Sequence, residues 1–118
     1  MIFYAGLPRS GSTMLAAILS QDPKLAVHEG CNLLPALNAV RDFYTDRTRN
    51  KVSRNPDVVK VLKAIASVYC EEGKTNIFKD RLWPLYLDHM ERVTEGDYKV
   101  ICTVRSPMEC LASFDRLM

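Results

Sequence analysis

Short apolar runs alternate along this chain with longer stretches in which apolar residues recur every three or four positions. Ile2-Phe3-Tyr4-Ala5 is apolar and β-prone, breaks into a Gly, Pro and Ser loop, and is followed by Met14, Leu15, Ile18 and Leu19 on one helical face. Gln21-Asp22-Pro23 is a turn and Leu25–Glu29 a short second strand. Leu33, Leu34, Leu37, Val40 and Tyr44 predict an amphipathic helix from about Asn32 to Asp46. A basic, apolar-poor run from Arg47 to Arg54 comes next, read either as a solvated loop or as an acceptor-binding edge or lid for an acidic or sulfated substrate. Asn55 and Pro56 read as the cap and first position of a helix with a buried stripe of Val58, Val61, Leu62, Ile65 and Val68, ended by Gly73. Thr75 to Asp80 predicts a strand, and Leu82, Tyr86, Met90 and Val93 another helix. Tyr98 to Val104 is almost continuously apolar, as in a strand buried on both faces of a parallel sheet. Beyond it Ser106 is placed as a helix cap, Pro107 at the first helical position and Glu109 as the partner in a capping box. Strands alternating with amphipathic helices predict an α/β fold, a three-layer α/β/α sandwich with a mostly parallel central sheet. With 118 residues and no internal repeat, low-complexity segment or boundary, the chain reads as one domain over residues 1–118.

The chemistry concentrates where the first strand meets the first helix. Gly6 and Gly11 let the backbone approach a ligand without a Cβ in the way, and the amides of the loop and first helical turn converge on one spot made attractive to anions by the peptide dipoles. The spacing Gly6-x-x-x-x-Gly11-Ser12-Thr13 is P-loop-like, except that Ser12 stands where a nucleoside-triphosphate loop has its lysine. The cation lies instead within the loop, as Arg9, whose planar fork suits the terminal oxygens of a shorter anion such as a phosphosulfate.

Pro8-Arg9-Ser10-Gly11-Ser12-Thr13 resembles the 5′-phosphosulfate loop of the sulfotransferases that use 3′-phosphoadenosine 5′-phosphosulfate (PAPS). A second stretch agrees: Arg105, Pro107 and Ser113 match the Arg, Pro and Ser spacing of that family's 3′-phosphate motif, with Ser113 roughly 9 Å along the helix at ~1.5 Å per residue. The resemblance implies sulfuryl transfer from PAPS to a hydroxyl or amine. Arg9, Ser10, Gly11, Ser12, Thr13, Arg105 and Ser113 would bind the donor, and Arg9 and Lys79 would neutralise the transferring group. No metal is implied, because cationic side chains take the place of magnesium. The cytosolic branch has its catalytic histidine two residues after the lysine, but here Asp80-Arg81 follows Lys79. In the tyrosylprotein branch two glutamates lie where Glu29 and Gly30 stand, and the second is the base. Glu29 is therefore taken as the base, with His28 and Asp80 as the other strand-end candidates; Asp80 is expected to be engaged by Lys79 and Arg81.

The family's C-terminal portion has no counterpart here, so the chain reads either as the N-terminal part of a longer protein or as a short member whose site is open or completed by another subunit. Composition narrows the partners. A net charge of +2 is too small to argue for nucleic acid, and no apolar run approaches the ~20 residues of a membrane span. A cytoplasmic protein acting on a small-molecule, glycan or peptide acceptor, with a homo-oligomer among the arrangements open to it, is the expectation. Cys31, Cys70, Cys102 and Cys110 form no C-x-x-C pair and read as reduced structural thiols. Two other functions fit parts of the pattern: a non-catalytic nucleotide-binding module, and a P-loop kinase, which lacks its loop lysine.

Overall fold

The computed structural model describes residues 1–45 and 57–117. The basic run after Thr45 and the Asn55-Pro56 helix start lie outside them. Four strands, β1 (Ile2–Gly6), β2 (Leu25–Glu29), β3 (Thr75–Lys79) and β4 (Lys99–Thr103), form one wholly parallel sheet in the order β2-β3-β1-β4. Among the described residues five α-helices connect or follow them: α1 (Ser12–Leu19), α2 (Leu33–Thr45), α3 (Val58–Tyr69), α4 (Leu87–Thr94) and α5 (Pro107–Asp115). This is the expected α/β sandwich.

Alternation along β1 and β3 sorts the side chains into two cores. Tyr4 and Ile77 face α1 and meet Ala16, with Leu15, Leu19 and Ile101 packed around them. Phe3, Ala5 and Phe78 face the other way into the larger core of α2, α3 and α4, where Leu33, Leu34, Leu37, Leu62, Trp83 and Met90 are buried. Trp83 seals its one polar atom by donating Nε1–H to the Phe78 carbonyl at 3.0 Å and packs on Phe3 with ring centroids 4.6 Å apart.

Three local expectations are corrected. The helix predicted across Leu82, Tyr86, Met90 and Val93 is two pieces, because Pro84 closes a 3-10 turn (Trp83–Leu85) and Tyr86 at φ −130° breaks the helical path before α4. β4 is not buried on both faces. Among the described residues it is an edge strand paired only with β1, and Val100 and Cys102 on it and Val104 just after it are exposed, since an apolar run records the side chains and not whether a further layer covers them. Ser106 does precede α5, but its side chain makes no cap bond and Glu109 pairs with Arg105 Nε at 3.4 Å instead of closing a capping box. For α3 the cap is Asp57, whose carboxylate accepts from Val59 N at 3.0 Å. Among the described residues no helix is long and apolar enough to cross a membrane, and the four cysteines are free.

Candidate active site

Parallel pairing brings the C-terminal ends of the strands to one edge. Glu29 stands beside Lys79 in register, and Gly6 beside Thr103. The loop leaving β1 is shaped by two left-handed residues, Arg9 at φ 65° and Gly11 at φ 90°. For Arg9 that conformation costs on the order of 1 kcal/mol, the kind of strain that gathers at ligand sites. Ser10 N donates to Leu7 O at 3.1 Å, and helical bonding in α1 begins with Leu15 N to Gly11 O at 3.1 Å. Gly11 brings no side-chain cap. The amides of Ser12, Thr13 and Met14 therefore stand at the helix N-terminus without an intrahelical acceptor.

Two neighbouring strands brace this loop. Ser10 Oγ and Thr103 Oγ1 share a hydrogen bond of 2.7 Å, and the Tyr4 hydroxyl donates to the Ser12 carbonyl at 3.2 Å. Burial pushes the Tyr4 phenol up from its ordinary pKa, so it stays a neutral donor.

A hollow of about 360 Å³ opens on one side of the loop, lined by Arg9, Gly11, Ser12, Thr13, Arg105 and Ser113. Arg9 Nε donates to Ser113 Oγ at 2.9 Å, and Arg105 Nη1 donates to the Arg9 carbonyl at 3.0 Å. The two stretches matched in sequence thus meet in space, though it is Arg9 and not Arg105 that reaches Ser113. Ser10 lines neither this hollow nor the next, because its hydroxyl is held by Thr103.

On the other side a hollow of about 240 Å³ is lined by Tyr4, Ser12, Glu29, Gly30, Lys79 and Asp80, among others. Lys79 Nζ donates to Thr13 Oγ1 at 3.1 Å and forms an ion pair with the Glu29 carboxylate. Asp80 is not engaged by Lys79 or Arg81. Its carboxylate accepts from Leu82 N at 2.9 Å, turning the chain after β3, and Lys79 goes to Glu29. His28 lies away from this hollow, since side chains alternate along β2. Its Nε2 meets Asn76 Oδ1 at 2.8 Å and its ring stacks on Phe78 at 4.5 Å between centroids. Asn76 Oδ1 also accepts from Glu71 N, so the histidine nitrogen there is the donor.

Spacing alone does not single out Tyr4 and Thr103. The available signals are a tyrosine in an apolar strand one turn before the loop, and a hydroxyl two residues before Arg105.

A family model described as Sulfotransferase family matches residues 2–118. The chain belongs to the sulfotransferase family, whose general chemistry is transfer of a sulfuryl group.

Proposed function

We propose that this chain binds PAPS and transfers its sulfuryl group to a hydroxyl or amine of a small-molecule, glycan or peptide acceptor. The observation that supports this reading is that the two hollows share Pro8 and Ser12 as a common wall, with arginines and open amides on one side and the Lys79–Glu29 pair on the other. These residues suit the donor. Open amides and the Arg9 guanidinium fit a terminal oxyanion, Arg105 and Ser113 fit a second anion, and the lysine that a triphosphate would require is Ser12.

When bound, PAPS supplies an activated sulfuryl group, whose bond to the 5′-phosphate oxygen breaks as the bond to the acceptor forms, leaving adenosine 3′,5′-bisphosphate (PAP). Arg9 and the loop amides orient that group, and Lys79 offers its ammonium where negative charge develops. Glu29 accepts the proton that the acceptor hydroxyl loses. One observation favours a second reading, a non-catalytic PAP-binding module: the Glu29 carboxylate is already held by Lys79.

Calorimetry with PAP and with magnesium ATP, paired with a sulfate-transfer assay, tests the proposal. PAP should bind and ATP should not, and Arg9→Ala should weaken PAP by roughly 10- to 100-fold, as expected for loss of charge-assisted hydrogen bonds. Glu29→Gln should lower transfer by about 10²-fold while PAP binding is retained. PAP binding without transfer to any acceptor would support the second reading, and preference for ATP would overturn both.

A further inference from the structure

A third cleft opens next to the two hollows, beside the exposed residues at the end of β4. It measures about 390 Å³, and its walls include Leu7, Leu82, Pro84 and Val104, with Arg81 and Arg105 at its polar positions. Leu7, Leu82 and Val104 are exposed, so apolar surface here faces water. Among the described residues the Arg81 guanidinium makes no hydrogen bond or ion pair. The cleft adjoins both hollows at the C-terminal edge of the sheet: Gly6, Pro8 and Arg81 also line the one that holds Lys79 and Glu29, and Pro8 and Arg105 also line the phosphate side.

From this placement we infer that the cleft is the acceptor's binding site and that the acceptor is a small amphiphile: an apolar aromatic or aliphatic body carrying an anionic group. The inference rests on the sulfotransfer reading and narrows its acceptor class. Apolar walls of this size desolvate a body of about ten carbon atoms but say little about which body. The uncommitted cation adds the selection. A carboxylate or similar group on the acceptor would be the first anion to pair with Arg81, while the shared wall at Gly6 and Pro8 leads the reacting hydroxyl toward Lys79 and Glu29. A neutral body of the same shape would leave Arg81 as it is and lose that pairing.

The full chain, isotopically labelled and saturated with PAP, is titrated with 2-naphthoate and with the uncharged 2-naphthalenemethanol while backbone amide shifts are followed. Shifts from 2-naphthoate should cluster at Leu7, Leu82 and Val104, and the neutral probe should bind at least about fivefold more weakly, the scale of one charge-assisted contact. Arg81→Ala should remove that difference without changing PAP affinity, and Val104→Ser, at a position 90% exposed and therefore safe for folding, should weaken both probes alike. Shifts confined to α5, equal binding of the two probes to the unmutated chain, or displacement of 2-naphthoate by PAP would overturn the inference, the last by giving the cleft to the donor. Failure of PAP to bind while 2-naphthoate shows the expected pattern would instead sink the sulfotransfer reading and leave an anionic-amphiphile site.

Discussion

A methyl group added at Gly6 would lie 2.1 Å from Thr103 Oγ1 and 3.0 Å from Ser10 Oγ, so this glycine is where the phosphate loop and the neighbouring strand touch. Gly6→Ala should therefore force Thr103 to turn, break its 2.7 Å bond to Ser10, and destabilise the domain by about 1–3 kcal/mol, the usual range for overpacking. Thermal unfolding together with PAP calorimetry checks this, and an unchanged melting temperature would mean that the loop is not braced as described. Sequence shows such a loop only in part. The loop is legible as a short Gly- and Ser-rich turn with Arg9 in its middle, because those features are local, whereas the positive φ of Arg9 and Gly11 and the contact of Gly6 with Thr103 are seen only in the fold. The brace is not legible, because Ser10 and Thr103 are 93 residues apart and only the parallel pairing of β1 with β4 brings them together. The same limit explains Asp80, whose sequence neighbours are cations but whose carboxylate closes a turn on Leu82 N.

Among the elements, the link between the β4–α5 corner and the phosphate loop carries the most consequence. Arg105 donates to the Arg9 carbonyl at 3.0 Å, so it supports the loop as well as facing the hollow. Arg105→Ala should weaken PAP by about 1.5–3 kcal/mol and also weaken adenosine 5′-phosphosulfate, which lacks the 3′-phosphate, but by less. Equal losses in calorimetry would make Arg105 a loop brace only. A different device joins α2 and α4. His89 is fully buried, its Nε2 meets Asn38 Oδ1 at 2.7 Å, and its Nδ1 has no partner among the described residues. Burial, the largest cause, holds its pKa below the ordinary histidine value, so the folded state keeps the ring neutral while the unfolded state takes up a proton near pH 6.5. Stability from this group is complete above that pH and is lost as pH falls from about 6.5 toward the depressed folded value. The melting temperature of the native chain should therefore drop more between pH 7 and pH 5.5 than that of His89→Gln, and parallel curves would remove His89 from the titration. The helix itself was readable from Met90 and Val93. Its late start was not, because the sequence pattern continues through Pro84 where the backbone does not.

For the molecule as a whole, the core of the sheet and its β4 edge differ in what holds them. Phe3, Phe78, Leu37 and Leu62 lie in a closed core between the sheet and α2, α3 and α4. In the corner after β4 and along α5, in contrast, Val104 is 90% exposed, Met108 73% and Leu111 61%, and α5 buries only Cys110. Area removed from water is what stabilises, so residues already in water contribute little however apolar they are. Leu37→Ala should cost about 2–5 kcal/mol, as for buried leucines in general. Leu111→Lys should change stability by less than about 0.5 kcal/mol, as for exposed positions. Denaturant unfolding of both variants at several protein concentrations checks the contrast. A large loss for Leu111→Lys that grows as the protein is concentrated would mean that this face is covered by a second copy of the chain, because only a contact between molecules makes the cost of a surface charge depend on concentration.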